Sequence, residues 1–335
     1  MKKQALITAI IFLCFSCIIA CVPLKKTIRP HFTLTSDHFI LCTLTKDESP
    51  LLLARQFLDN AQNAWMIEEA NPNAKYKSGE TIVIPLKIQN KAGLFLDGFQ
   101  MVPILCYHRF AKQCTSQLCM PEDVFTDHML FLKNNNYQVI SLQMLYEFLT
   151  YNKALPKNSV VITIDDGYRS VYDVAWPILK KFGFTATLFI YNDFIGGGSA
   201  LTWDEIREMK ADGFEIGSHT LSHADLTHKK KGEAQNVYIS RITKEIFESK
   251  KNLDRKLNQD TRFFAYPFGK ANTSVIELSR KAGYLLGLSV NRGGNPFPTS
   301  FFQLHRDQIL SRNPDVFARR LKTFYSVSLK DNKNE

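Results

Sequence analysis

Two short polar clusters carry most of the chemistry open to this 335-residue chain. Asp165 and Asp166 follow the apolar run 160–164, and His219 and His223 lie four residues apart in Gly217-Ser218-His219-Thr220-Leu221-Ser222-His223. Adjacent carboxylates repel one another unless a cation or a hydrogen-bond network separates their roles. Imidazole is the commonest protein ligand for zinc, and a His pair at this spacing can face one way across a turn. One carboxylate with two histidines makes three protein ligands and leaves positions for water and substrate, as a catalytic metal requires; closed structural sites use four. The plain alternatives are an Asp-Gly turn and a chance His pair on a solvated helix.

Those residues need a frame that brings them together. From residue 101 to about 324 apolar strands (102–107, 160–164, 185–191, 214–217, 263–266) alternate with amphipathic helices (125–134, 174–182, 203–212, 234–257, 274–282). Such alternation predicts an α/β domain with a parallel sheet, whose ligands gather at the carboxyl ends of the strands. Asp165, Asp166, His219 and His223 all fall at strand ends. So does Tyr266-Pro267-Phe268-Gly269, where proline fixes the chain and glycine relaxes it, aiming the Phe268 N–H into the site as an oxyanion donor. Arg292 and His305 add a cation and a third histidine; an ordinary turn and a surface histidine are their plain readings.

Composition sets outer limits. Hydrophobic residues at 45% and charged residues at 22% exclude wholesale disorder, collagen-like repeats and a polytopic membrane protein. The start, Lys2-Lys3 followed by an uncharged run from residue 5 to 20, is short for a membrane-spanning helix and has the pattern of a secretory signal. Its end, Ile18-Ile19-Ala20-Cys21, resembles a bacterial lipobox, which makes Cys21 the expected lipidation site; an ordinary cleaved signal and an uncleaved anchor are the alternatives. All three export the rest of the chain. Removing residues 1–20 takes away Lys2 and Lys3 and no acid, so the net charge of +10 becomes +8. That balance suits an anionic membrane or wall and makes nucleic acid an improbable partner. Cys114 and Cys119 could close a small disulfide in such a compartment. The Lys229-Lys230-Lys231 run reads as a solvated loop, with a grip on anionic wall polymer as the alternative.

The expected organisation is a signal (1–20), a tether (21–34), a small module (35–87), a linker (88–100), the α/β domain (101–325) and a polar tail (326–335). The module reads strand, helix, helix, strand, with Asn71-Pro72 closing its second helix and Gly79-Glu80-Thr81-Ile82-Val83-Ile84-Pro85 forming the last strand. It resembles a LysM module, although residues 45–50 replace the usual opening. The resemblance implies binding of N-acetylglucosamine chains; a helical spacer without binding function is the alternative.

Thr163-Ile164-Asp165-Asp166-Gly167-Tyr168, Ser218-His219-Thr220-Leu221-Ser222-His223, Tyr266-Pro267-Phe268-Gly269 and the opening Val102-Pro103-Ile104-Leu105-Cys106-Tyr107-His108-Arg109 together resemble the NodB-type polysaccharide deacetylases, carbohydrate esterases of family 4. That resemblance implies a distorted (β/α)7-type barrel and metal-dependent removal of acetyl groups from N-acetylglucosamine units of peptidoglycan or poly-N-acetylglucosamine. Asp166, His219 and His223 would hold a divalent metal, expected to be Zn2+, and Asp165 would be the base. His305 is the expected acid by chain order, although Leu304-His305 departs from the family's Leu-x-His. Arg292 is expected to orient Asp165, and His108, Tyr266 and Pro267 to contact substrate. The competing reading is a catalytically inactive, peptidoglycan-binding envelope lipoprotein that uses the barrel as a scaffold.

Overall fold

The computed structural model describes residues 31–35, 39–86, 90–95, 98–297 and 299–327. The signal, Cys21 and most of the tether lie outside these residues.

The amino-terminal unit contains β1 (His31–Thr35), β2 (Phe39–Thr43), α1 (Pro50–Phe57), α2 (Ala64–Ala70) and β3 (Thr81–Pro85), the strands forming an antiparallel sheet in the order β1-β2-β3. Ser49 caps α1 by accepting from the Leu52 N–H, and Pro50 fits the first turn, where no N–H is needed. Asn71 ends α2 and exchanges two hydrogen bonds with the Val83 backbone, which ties the helix to β3. Leu53, Ile67, Ile82 and Ile84 fill the space between helices and sheet. The observed order is β1-β2-α1-α2-β3, and β1 occupies part of the stretch read as tether. On the other face of α2, Trp65 and Met66 pack on Ala154, and the Glu69 carboxylate accepts the Lys157 N–H at 2.7 Å. The unit is therefore docked on the larger domain.

The hairpin β4 (Leu94–Phe95) and β5 (Gly98–Gln100) leads into β6 (Val102–Tyr107). Next, β7 (Arg109–Ala111) pairs with β8 (Cys119–Pro121) around a loop closed by the Cys114–Cys119 disulfide. The chain continues through α3 (Glu122–Asn134), β9 (Gln138–Val139), α4 (Leu142–Leu149), β10 (Ser159–Asp166), α5 (Trp176–Phe182), β11 (Thr187–Ile190), α6 (Trp203–Ala211) and β12 (Glu215–Ser218). Then follow α7 (Gln235–Leu257), β13 (Phe263–Ala265), α8 (Thr273–Lys281), β14 (Leu286–Leu288), β15 (Gly294–Asn295), β16 (Asp307–Gln308), α9 (Pro314–Ala318) and β17 (Phe324–Ser326), which adds to β5.

Six strands lie parallel in the order β14-β13-β12-β11-β10-β6, and β16 adds parallel to the free side of β6. Just before β16, Leu304 bridges Leu288 of β14, so the sheet curls back on itself. All eight residues of β10 are buried, as a central strand covered on both faces must be. Two details differ from the sequence reading. β10 runs on through Asp166, so the carboxylates end the strand instead of following it. α4, β14, α9 and the two- and three-residue strands β4, β5, β7, β8, β9, β15, β16 and β17 were not anticipated; each is short, which leaves little periodicity to detect.

Candidate active site

Asp166, His219 and His223 converge beyond the carboxyl ends of β10 and β12. One potential ligand atom from each lies within 4.8 Å of the others. His219 Nε2 and His223 Nε2 stand 3.7 and 3.5 Å from Asp166 Oδ1. That oxygen is buried and makes no hydrogen bond in the described structure, a costly state for a carboxylate unless a cation completes it. His219 Nδ1 donates to the Ala265 carbonyl at 2.7 Å, which turns its Nε2 lone pair toward Asp166, the outer-sphere arrangement that metal-binding histidines use. Burial pushes His219 down to about 4 and lowers His223, so both rings are neutral, as ligands must be. Burial, reinforced by Asp165, raises Asp166 to about 6. The donor set fits a divalent cation.

The backbone is bent to achieve this convergence. Asp166, Thr220, His223 and Phe268 have φ of 79°, 75°, 60° and 59°, four of the nine non-glycine residues with positive φ among the described residues. The loop after β12 is held by Glu245 of α7. Its carboxylate accepts the Leu221 and Ser222 N–H groups at 3.1 and 2.9 Å and the Ser222 hydroxyl at 2.6 Å. Below the loop, Gly217 lies against Phe189, where an added Cβ would come within 2.4 Å of the ring.

Asp165 has a different environment. Arg306, with no exposed surface, grips it through two parallel hydrogen bonds of 2.7 and 2.8 Å, and also donates to Thr163 Oγ1 and the Ser289 carbonyl. Burial alone would raise Asp165, but the Arg306 guanidinium, helped by His219, overrides it and holds the carboxyl well below the usual range. Asp165 therefore stays ionised beside Asp166. Cys106 Sγ lies 3.5 Å from Asp165 Oδ2, and His108, nearly buried at the end of β6, completes a second group with Cys106 and Asp165 within 4.8 Å.

Several expected positions fall elsewhere. Arg292 is 67% exposed and 4.0 Å from Asp307, so the contact with Asp165 belongs to Arg306 instead. Side chains alternate along an extended segment: Leu304 and Arg306 are buried, while His305 turns the other way, against Gly293 and a separate cavity. Tyr266 is also inside, its hydroxyl bonded to the Phe302 carbonyl, and Pro267 is buried, so neither offers a surface to substrate. Phe268 does: the residue is 56% exposed, its ring packs on His223, and no acceptor takes its N–H among the described residues. Tyr191, Phe194 and Tyr168 continue an aromatic rim from His223. Arg306 and Glu245 were missed by sequence reasoning. A charged residue at a position that the strand pattern assigns to the interior was the available signal for Arg306; Glu245 on a long polar helix gave none.

The polysaccharide deacetylase family model matches residues 152–287. A Bacillus subtilis (strain 168) protein named as a polysaccharide deacetylase, YxkH, is 30% identical over 247 residues, 72% of this chain and 84% of its own. The poly-beta-1,6-N-acetyl-D-glucosamine N-deacetylase of Staphylococcus aureus (strain MSSA476) is 27% identical over 248 residues, 72% of this chain and 82% of its own. Among solved structures, the Streptococcus pyogenes deacetylase PplD superposes with a TM-score of 0.61 at 28% identity, covering 67% of this chain and 99% of that one. With its curled parallel sheet and the clustered carboxylates and histidines at the strand ends, the chain belongs to the polysaccharide deacetylase family and is an enzyme of that family.

Proposed function

We propose that the enzyme removes N-acetyl groups from a β-linked N-acetylglucosamine polymer of the bacterial envelope, poly-N-acetylglucosamine first, with Zn2+ held by Asp166, His219 and His223. The observation that carries this reading is the unsatisfied Asp166 Oδ1 facing two neutral imidazoles beside a carboxylate kept ionised by Arg306. A bound divalent metal supplies Lewis acidity and lowers the pKa of water. Asp165 accepts the proton of the attacking water, with Arg306 fixing its orientation and charge. The Phe268 N–H, which no acceptor takes among the described residues, is the donor to the developing oxyanion, a contribution of about 3 kcal/mol in comparable sites. His108 is the group that protonates the leaving amine, in preference to His305, because it shares the pocket with Asp165 whereas His305 faces a different cavity. The aromatic rim offers flat faces to sugar rings.

The S. aureus relative named for poly-beta-1,6-N-acetyl-D-glucosamine supports the choice of polymer. A second reading, peptidoglycan, is favoured by the βααβ unit, which as a LysM-like module would hold N-acetylglucosamine chains near the barrel and raise their local concentration. We further propose export, with Cys21 as the lipid anchor and the protein facing the periplasm or cell exterior; the Cys114–Cys119 disulfide fits an oxidising compartment. Acetate release measured side by side on poly-N-acetylglucosamine, peptidoglycan and chitin oligomers, before and after chelation, tests the proposal. Activity on none of them, or activity indifferent to chelation and to added Zn2+, refutes it.

A further inference from the structure

A cavity of about 710 Å3 opens near the amino-terminal end of β6. Met101, one residue before β6, lines it, whereas His108 and the metal triad lie past the carboxyl ends of the strands, so the two sites are at opposite ends of the sheet. Arg292, Arg319, Arg320 and Lys322 stand on its wall with His305, and Asp307 is the one acid there. Four fixed cations and one carboxylate leave a local charge of +3 on a concave surface, where low-dielectric walls concentrate the field.

The arrangement leaves donors free. Asp307 is 3.5 Å from Arg320 Nη1 and 4.0 Å from Arg292 Nε, and its buried Oδ1 makes no hydrogen bond in the described structure. These separations hold two guanidiniums near the carboxylate without a fork-to-fork pairing, so most of their N–H groups remain open to another acceptor. Arg319 and Lys322 are exposed and meet no carboxylate among the described residues; Lys322 lies 5.0 Å from the centre of the Tyr325 ring.

We propose that this cavity binds a phosphate ester, gripped by Arg319, Arg320 and Lys322 with Arg292 at its mouth. Several guanidiniums converging on one hollow suit a multiply charged group with three or more acceptor oxygens better than they suit a single carboxylate. The volume accommodates a phosphorylated glycerol or sugar. A phospholipid headgroup and a soluble phosphate ester present the same chemistry. The sheet formed by β17, β5 and β4 favours the headgroup, because it carries exposed Leu94 and Tyr325, with exposed Val327 one residue past β17 and Tyr325 set against Lys322.

The test uses the purified full chain, the cavity variant Arg319→Gln/Lys322→Gln, and Lys229→Gln/Lys230→Gln as a control of equal charge change. Glycerol 3-phosphate is titrated by calorimetry, and vesicles of phosphatidylglycerol or phosphatidylcholine are followed by co-sedimentation. The expected result is binding of glycerol 3-phosphate, or of phosphatidylglycerol in excess of phosphatidylcholine. The cavity pair should weaken it at least about tenfold and the control pair less than about twofold, with rising salt weakening it further. Binding of vesicles alone assigns a headgroup, binding of glycerol 3-phosphate alone assigns a soluble ester, and binding of both assigns the phosphate ester as such. No binding of either probe by the wild type, or equal weakening by the control pair, overturns the proposal. Unchanged circular dichroism and acetate release show that the variant is folded; Arg319→Gln alone replaces the pair if it is not.

Discussion

Replacing Arg306 by Met isolates the contribution of the buried pair with Asp165. Methionine keeps much of the side-chain volume and removes every donor: two hydrogen bonds to Asp165 at 2.7 and 2.8 Å, one to Thr163 at 3.2 Å and one to Ser289 at 2.8 Å. Asp165 is then a buried charge without its partner, a change that costs about 3–5 kcal/mol. Asp165→Asn creates the converse defect, a buried guanidinium without its anion, with a loss in the same range. The double variant contains neither charge, so its loss should fall short of the sum of the single losses by at least about 2 kcal/mol. The pH dependence adds a second signature. In the wild type the Asp165 carboxyl sits below its unfolded value, so the pair stabilises the fold fully above about pH 4 and less as pH falls below that. In Arg306→Met the main influence opposing burial is gone, with only His219 and His108 left to lower the carboxyl, so its pKa rises from the wild-type level and the variant's deficit should shrink as pH is lowered from 7.5 to 5. Urea denaturation of the chelated proteins, followed by circular dichroism, measures both effects. Single losses under about 1 kcal/mol, or additivity within about 0.5 kcal/mol, would refute the reading of Arg306 and Asp165 as one unit.

Three further outcomes follow from the same geometry. Because burial raises Asp166 to about 6 from an unfolded value near 3.8, its charge destabilises the metal-free fold above pH 6 and not below pH 3.8; Asp166→Asn should therefore stabilise chelated protein by up to about 3 kcal/mol at pH 7.5, a gain that vanishes near pH 4 in denaturant titrations. Glu245→Gln leaves the Leu221 and Ser222 N–H groups with a weaker acceptor and loosens the loop that carries both histidines; metal affinity measured against a chelating dye should fall about 10–100-fold, with turnover of the fully loaded enzyme largely kept. Gly217→Ala forces a methyl group against Phe189 and should cost about 1–3 kcal/mol of unfolding free energy, read by the same denaturation assay.

The curled parallel sheet was legible because its strands are apolar runs ended by polar motifs, and strand ends in such a sheet share one rim. Asp165, Asp166, His219 and His223 could be brought together on that logic alone, since the motif spacing already fixed which strand carries each. The arginine could not. Arg292 and Arg306 lie on the same return segment, and choosing between them requires the register of β16 on β6, in which Asp307 sits opposite Leu105. That register rests on only two paired residues and on the Leu304–Leu288 bridge, contacts between segments distant in sequence. Tyr266 misled for a related reason: it belongs to a conspicuous motif, yet its side chain fills the core beside α7 and α8, and Phe268 alone of that loop presents a ring outward.

The left-handed backbone at Asp166, Thr220, His223 and Phe268 sets a limit on engineering. Each such residue costs about 1–3 kcal/mol of conformational energy, which glycine would avoid while losing more chain entropy on folding. Substitution by glycine at these four positions would relieve that strain, but it would also remove two proposed ligands and the Thr220 hydroxyl that accepts the His223 N–H, and reshape the rim. Selection for thermal tolerance alone would drift toward a durable, inert protein. Selection that also demands acetate release would have to find its gains elsewhere, in the helices and in the loops at the far end of the sheet.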